Sequence, residues 1–360
     1  MAKKSKYSIL IICEGENTEP LFFGAIRDEI KNGTYKIGEV EITIRPEPNV
    51  EETEVEPPSP HKPARKKLQL RNATVGIEPI VIKGIPPLKW VKEGQTELED
   101  GTFNEVWAVF DHDNHPARKE AFEASEEEID GKKVQIAFSS ISFEYYLLLH
   151  FERLFKQFQK SECREKKKPI NCNSGFHKND CFGNICIGGY ARKNKYWVDS
   201  KSSTSAFHLI KEKLEIGFEN AVWLRHLSEI NEPNIPIYNR NPYITTDTIV
   251  KRLVGKDDIT LVWISSDLEY TFKKLRIQIV DNQKIVICNC DKSAVIIPEN
   301  SFCKVVPVEN TRQNFGKRLF LEPTKITEIE LSDYKSNQNE WFLFRYENCR
   351  IMFDLNQQAD

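Results

Sequence analysis

The sequence predicts an α/β protein with a mostly parallel sheet covered by helices on both faces, followed by a β-rich C-terminal domain. In the first half, short apolar runs such as ILIIC at residues 9–13 and VWAVF at 106–110 alternate with amphipathic helical patterns. Strands that alternate with helices form parallel or mixed sheets whose two faces are buried. From about residue 258, β-branched and aromatic residues alternate with polar ones, as in LRIQIV and KIVICNC. Short turns separate these runs, which is typical of a small antiparallel sandwich or barrel.

The first predicted elements are a strand, a helix and a second strand. Residues 7–13 form the first buried strand, and a helix follows with Thr18 as its N-cap and Pro20 in its first turn. The second strand is EVEITIR at residues 39–45. The next stretch, about 46–100, contains EPPSPHKPARKK and is rich in proline and charge. This composition predicts an extended, partly ordered insertion.

Further strands and helices follow the insertion, and the same periodicity rules predict them. In chain order they are a strand at Val106–Phe110, a helix from Pro116 to about Ile129 with Gly131 as its stop signal, a strand at 133–140, one long apolar helix at 142–158, and helices near 205–230 and 244–254.

These patterns divide the chain into three predicted regions. Residues 1–160 form an α/β core that carries the insertion at about 46–100. Residues 161–257 form a cysteine- and lysine-rich insertion together with helices that complete the core. Residues 258–360 form the β-rich domain, which we expect to fold separately and to supply none of the core chemistry.

Composition limits the classes of function and location. Lys+Arg of 51 against Asp+Glu of 54 gives a formal net charge of -3, so any nucleic-acid contact must come from local basic patches. No apolar stretch approaches the roughly 20 residues that cross a bilayer, and the lysine-rich start lacks the apolar core of a signal peptide. We therefore expect a cytoplasmic protein without a membrane segment, whose nine cysteines are reduced thiols.

Acidic residues follow two of the best predicted strands. Glu14, with Gly15, ends the first strand, and Asp111 and Asp113 follow VWAVF. Because sites in open α/β sheets gather where strands end, we expect these carboxylates to lie close together. Such acids repel one another unless a cation compensates, and Mg²⁺ prefers carboxylate oxygens. The alternative is that Asp111 caps a helix or turns a loop, since an isolated DxD pattern also occurs in phosphatases and nucleotide-sugar transferases.

Four segments together resemble the RloB-like family of bacterial Toprim-domain proteins: IICEGENTEPLFF, VWAVFDHDNH, SFEYYLLLHFE and NPYITTDTIVKRLV. The resemblance covers roughly residues 7–45, 105–155 and 220–254, and leaves out the insertion and the β-rich tail. It implies a Toprim-like (Rossmannoid) fold related to OLD-type nucleases. It also implies that Glu14, Asp111 and Asp113 hold Mg²⁺ or Mn²⁺ for phosphoryl transfer.

The function that this resemblance implies is metal-dependent hydrolysis of nucleic-acid phosphodiesters in antiviral (anti-phage) defence, with an AAA/ABC-type ATPase as partner. Glu144 lies where nuclease-type Toprim sites often place one more acid for a second metal, although an acid in the first turn of a helix is also favoured by the helix dipole. Two other functions stay open, namely a non-hydrolytic nucleic-acid or nucleotide recognition module and a small nucleotide phosphohydrolase. DNA, RNA including tRNA, and the oligomeric state are also open.

A cysteine-containing segment predicts a zinc site. Its candidate ligands are Cys163, Cys172, His177, Cys181 and Cys186, and four thiols in one poorly hydrophobic segment are what a metal-stapled insertion needs. The spacings are longer than in a paired C-x2-C motif, so unrelated thiols in an exposed loop are the alternative.

Basic residues among aromatic ones predict contact with nucleic acid. Lysine and arginine side chains bind phosphates, and aromatic rings stack on bases. An ordinary solvated loop is the alternative. The predicted substrate-binding residues are Arg192, Lys193, Lys195 and Trp197, with Lys119, Arg118 and His115 near the acids.

Overall fold

The structure of the chain is a computed structural model. It describes residues 6–48, 85–112, 115–165, 168–169, 183–197, 206–258, 260–264, 269–280, 284–299, 301–306, 311–315, 317–330 and 341–354. The α-helices are α1 (Thr18–Lys31), α2 (Leu88–Glu99), α3 (Arg118–Ser125), α4 (Phe143–Leu148), α5 (Ile187–Lys193), α6 (Ala206–Ile210), α7 (Leu214–Asn231) and α8 (Thr246–Val254), with short 3-10 helices at Lys211–Lys213 and Ile237–Asn239.

The strands belong to an N-terminal group and a C-terminal group. The first seven are β1 (Tyr7–Cys13), β2 (Val40–Arg45), β3 (Glu105–Asp111), β4 (Val134–Ser140), β5 (Arg164–Glu165), β6 (Lys168–Pro169) and β7 (Tyr243–Ile244). The others are β8 (Thr260–Ile264), β9 (Glu269–Phe272), β10 (Leu275–Val280), β11 (Lys284–Asn289), β12 (Val295–Ile297), β13 (Phe302–Val306), β14 (Thr311–Phe315), β15 (Leu319–Leu321), β16 (Ile326–Glu330), β17 (Trp341–Tyr346) and β18 (Cys349–Asp354).

The N-terminal sheet has the strand order β2-β1-β3-β4-β7. Its first four strands are parallel, and β7 pairs antiparallel with the end of β4. Alternate side chains of β1 point to opposite faces, so Ile9 and Ile11 pack on one core and Leu10 and Ile12 on the other. Helices cover both faces, with α2 and α3 on the side of Leu10 and the other helices opposite. The predicted mostly parallel, two-sided sheet is confirmed.

Three helix predictions need correction, and one helix was not predicted. The first helix begins at Thr18, so Asn17 and not Thr18 occupies the N-cap position. The end of the predicted insertion is helical, because α2 buries Val91 against the sheet. The third helix stops at Ser125, and Gly131 lies instead in a tight turn between Ile129 and Lys132.

The long apolar helix predicted at 142–158 is also wrong, since α4 ends at Leu148. The Tyr145 hydroxyl bonds the backbone of Leu154 and Lys156, and it holds the following residues as an irregular segment against the helix. Burial of this apolar stretch therefore does not require helical periodicity throughout.

The C-terminal strands form three sheets with the orders β16-β11-β10-β9, β14-β13-β17-β18-β8 and β12-β15. All pairs are antiparallel except β8 with β18, which run parallel. The β-rich character of this region is confirmed, and its folding as a separate unit stays a prediction. Its strands β17 and β18 contact α7, where Glu219 accepts hydrogen bonds from Arg345 and Arg350.

Among the helices that the structure describes, none is both long and apolar enough to cross a membrane.

Candidate functional site

Three adjacent parallel strands carry acids to one edge of the sheet. Glu14 follows β1, and its backbone N–H continues the ladder by donating to the Val109 carbonyl at 2.9 Å. Asp111 is the last residue of β3, and Glu144 lies in the first turn of α4, just beyond β4. The Oε2 atom of Glu14 accepts the Asp111 N–H at 2.8 Å. The strand-end arrangement that the sequence predicts for Glu14 and Asp111 therefore brings them into direct contact.

These acids line a cavity of about 200 Å³. Glu19, in the first turn of α1, is a fourth acid there and is 7% exposed. A Cβ atom at Gly15 would collide with the Glu19 carboxylate, so the glycine of the Glu-Gly pair is what lets Glu19 reach the site. The lining residues are Glu14, Gly15, Glu16, Asn17, Thr18, Glu19, Asp111, Ser142, Glu144 and Ser161.

Burial and the neighbouring acids both shift the pKa of Asp111. Burial raises the pKa of Asp111 well above its usual value, and the negative charges of Glu19, Glu14 and Glu144 raise it further. The backbone N–H of Phe143 donates to the carboxylate and opposes this shift. A cation placed among these carboxylates would relieve the repulsion.

Two serine hydroxyls hold Glu144. Ser142 Oγ donates to Glu144 Oε2 at 2.7 Å, and Ser161 Oγ donates to the same oxygen at 2.8 Å. Ser142 occupies the N-cap position of α4, yet its hydroxyl makes no capping bond to the helix backbone. The sequence reasoning missed both serines, because Ser161 comes from a segment distant in the chain and Ser142 has the usual appearance of a helix cap.

The loop after β3 carries the second acid of the DxD pattern, Asp113, which lies outside the described residues. Arg118 braces this loop by donating to the carbonyls of His112 at 2.9 Å and His115 at 2.8 Å, and to that of Tyr238 at 3.0 Å. The His115 ring contacts the Glu14 carboxylate. Burial, aided by the charges of Arg118 and His115, lowers the pKa of His112 to about 4. Arg118 therefore supports the backbone of the loop.

The donor set of the cavity suits a hard divalent cation, because four buried or half-buried carboxylates there supply oxygen ligands and negative charge. Among the described residues, however, no three His, Cys, Asp or Glu side chains are arranged as ligands of one metal ion. The chemistry of the residues thus fits a cation, whereas the complete ligand geometry is not formed by the described side chains. The residues that would hold it are Glu14, Glu19, Asp111 and Glu144.

A family model described as RloB-like protein matches residues 9–253. The chain belongs to the RloB-like family. The match includes every residue that lines the acid cavity and ends before the β-rich region. No curated protein and no solved structure matches the chain.

Behind the cavity, the RloB-like region contains a buried ion-pair triad on α7 and α8. Asp247 is fully buried and accepts hydrogen bonds from both terminal nitrogens of Arg225, while Lys251 Nζ lies 2.7 Å from its Oδ2. The neighbouring Thr246 hydroxyl lies 2.8 Å from the Ser139 hydroxyl at the end of β4. The triad therefore anchors α8 beside the strand ends that carry the site.

The predicted substrate-binding residues of this RloB-like protein differ in their surroundings. Lys193 and Lys195 are exposed at and beyond the end of α5. Arg192 instead pairs with Glu162 through two bonds of 3.0 Å, an interaction that a phosphate would have to replace. Trp197 is only 6% exposed and belongs to the hydrophobic core. Base stacking by this ring would require it to leave the core.

Lys119 lies on α3 outside the cavity lining, 3.7 Å from Glu123 and 60% exposed. Of the predicted zinc ligands, Cys163 packs against the buried Cys186, and neither is in a disulfide. Cys172, His177 and Cys181 lie outside the described residues. The zinc site of the RloB-like protein therefore stays a prediction.

Proposed function

We propose that this RloB-like protein is a divalent-metal-dependent nuclease of the Toprim type, a hydrolase of nucleic-acid phosphodiesters. The observation that carries the proposal is the acid cavity at the carboxyl edge of the sheet, lined by Glu14, Glu19, Asp111 and Glu144. A protein gains no stability from crowding carboxylates in this way, as the raised pKa of Asp111 indicates. Binding of Mg²⁺ or Mn²⁺ would offset that cost.

When bound, the cation would supply Lewis-acid polarisation of the phosphate and lower the pKa of a bound water. The protein's own groups prepare the site for it. The N–H of Phe143 orients Asp111, the N–H of Asp111 orients Glu14, and Ser142 and Ser161 orient Glu144. Asp113, which lies outside the described residues, is proposed as a further ligand.

Nucleic acid is the proposed substrate, and the exposed lysines Lys193 and Lys195 are proposed to contact its phosphates. By the resemblance of the four sequence segments, the protein would act in the cytoplasm in anti-phage defence with an AAA/ABC-type ATPase. DNA and RNA, including tRNA, are the substrates to be compared.

Two alternative functions can be weighed against the volume of the cavity and the arrangement of its ligands. A cavity of about 200 Å³ is below the roughly 300–1,000 Å³ of small-molecule pockets, which disfavours an enclosed nucleotide and hence a small nucleotide phosphohydrolase. A non-hydrolytic recognition module is favoured by the incomplete ligand geometry, since no three described side chains are placed around one metal position.

The test is a cleavage assay with purified protein, Mg²⁺ or Mn²⁺, and DNA, tRNA or bulk RNA, with and without a candidate AAA/ABC-type ATPase partner. We expect Glu14→Ala and Asp111→Ala each to abolish cleavage. Glu123→Ala, which removes a 63% exposed acid from α3, is the matched control and should cut like the parent. If the first two variants also cut like the parent, the nuclease proposal fails. If no nucleic acid is cut but binding depends on the cation, the recognition module replaces it.

A further inference from the structure

Ser161 contacts the acid cavity from outside the sheet, in a segment that precedes the cysteine-containing region. Its hydroxyl donates to Glu144 Oε2 at 2.8 Å. We infer that Ser161 is a positioning residue for the cation site, acting through the Glu144 carboxylate. The inference rests on the proposed function, because it concerns the same cavity.

The hydrogen bonds at Glu144 orient its carboxylate within a buried environment. Glu144 is 4% exposed. The hydroxyls of Ser142 and Ser161 lie in different segments of the chain, and both donate to the same Glu144 oxygen, Oε2. Hydrogen bonds to a charged acceptor are stronger than neutral ones. Two of them on a single oxygen restrict rotation of the carboxylate, so that it is presented to the cavity in one orientation.

Ser142 Oγ bonds the Glu144 carboxylate and makes no capping bond to the helix backbone. Serine at an N-cap usually accepts a hydrogen bond from a backbone N–H of the first turn. In α4 this capping bond is absent, and Ser142 Oγ donates to Glu144. The first N–H of the helix, that of Phe143, is taken by Asp111. The Ser142 hydroxyl and the Phe143 N–H therefore both donate to acids of the cavity.

Ser161 itself is held in place by the chain around it. Its carbonyl accepts the Gly188 N–H at 2.9 Å, and the Lys160 carbonyl accepts the Ile187 N–H at 3.2 Å. The next residue, Glu162, pairs with Arg192 on α5. Because backbone hydrogen bonds from α5 fix this segment, Ser161 is held next to Glu144 before any cation enters.

Removing a hydrogen-bond partner of a metal-ligating side chain typically weakens metal affinity by 10–100-fold. Ser142 remains as a second donor in a Ser161→Ala variant, so we expect the lower end, about 10-fold weaker binding. Ser161→Thr keeps a hydroxyl and should restore most of the affinity.

The experiment is calorimetric titration of Mn²⁺ into the full chain without nucleic acid, so that the readout is independent of cleavage. Ser125→Ala is the matched control, because the Ser125 hydroxyl also donates a hydrogen bond, but to the Phe122 carbonyl on α3, away from the cavity. It should bind Mn²⁺ like the parent, and thermal melting should show each variant to be folded.

A double-mutant cycle with Glu144→Gln separates positioning from a general structural role. If Ser161 acts through Glu144, Ser161→Ala should weaken Mn²⁺ binding in the parent and have no further effect in the Glu144→Gln background. Equal losses in both backgrounds, or a parent-like Ser161→Ala, overturn the inference while leaving the proposed function intact. If the parent binds no Mn²⁺, the cation site fails, and with it both proposals.

Discussion

Replacing Asp247 by alanine should destabilise the protein by about 3–5 kcal/mol, because it leaves buried cations without their anion. The Asp247 carboxylate is fully buried and is held by Arg225 and Lys251, with Arg225 Nη2–Oδ2 at 3.0 Å and Lys251 Nζ–Oδ2 at 2.7 Å. Burial by itself raises the pKa of Asp247, but the charges and hydrogen bonds of Arg225 and Lys251 outweigh it and lower the pKa.

The magnitude follows from the burial of the cations. The Lys251 side chain is 2% exposed and that of Arg225 is 17% exposed, so neither can regain full hydration in the folded variant. Asp258 provides the matched control. It lies 3.7 Å from the same Lys251 Nζ but is 86% exposed, and an exposed pair contributes about 0–1 kcal/mol. We therefore expect Asp247→Ala to lose at least about 2 kcal/mol more than Asp258→Ala.

The assay is urea unfolding at neutral pH, followed by tryptophan fluorescence, for the parent, Asp247→Ala, Asp247→Asn and Asp258→Ala. The asparagine variant keeps the shape of the side chain and tests the charge alone. Because the folded-state pKa of Asp247 is lowered, its contribution is present above its unfolded pKa of about 3.9 and is lost as pH falls through the folded value. If Asp247→Ala and Asp258→Ala lose equal stability, the buried triad does not stabilise α8 as described.

Three further predictions concern the side chains of Asp111, His150 and Glu219. Asp111→Asn should raise the free energy of unfolding at neutral pH in EDTA. The folded-state pKa of Asp111 is raised, so its ionisation costs the folded protein stability as pH rises from about 3.9 through that pKa. Urea titrations that show no gain for the variant at neutral pH would contradict this. Burial lowers the pKa of His150 to about 4 from 6.5, so about 3 kcal/mol of stability should be lost as pH falls across this window. His150→Gln should remove that loss in the same titrations. Glu219→Ala should cost about 3–5 kcal/mol, since Glu219 is 3% exposed between two arginines, whereas Glu215→Ala, at a 52% exposed position, should cost about 0–1 kcal/mol in thermal unfolding.

The core strands were predictable because their burial is encoded locally. The apolar runs within β1 (ILIIC) and β3 (VWAVF) are short and bounded by polar residues. Burial on both faces of a parallel sheet selects this composition in its central strands. Since such strands are parallel, their carboxyl ends share one edge, which is why the sequence predicts that Glu14 and Asp111 lie close together; the pairing of β1 with β3 brings them into contact.

Helix ends and the insertion were harder to predict, because long-range contacts decide them. The apolar stretch from Phe143 could continue as a helix by composition, yet the Tyr145 hydroxyl binds the backbone around Lys156 and α4 ends at Leu148. Likewise α2 is stabilised by packing on the sheet. The proline- and charge-rich sequence before it gives no local sign of this packing. Tertiary packing supplies most of the stability of short helices.

The sequence by itself determined the fold class, the family and two strand-end acids, because hydrophobic periodicity and short motifs act over a few residues. Only the tertiary structure decided that Glu19 completes the acid cavity through Gly15, that Ser161 bonds Glu144, and that Trp197 packs inside the core. These facts depend on how several segments pack together in space, which no short motif encodes. A tryptophan among lysines has the same sequence pattern whether it faces solvent or the core, and only the packing around it distinguishes the two.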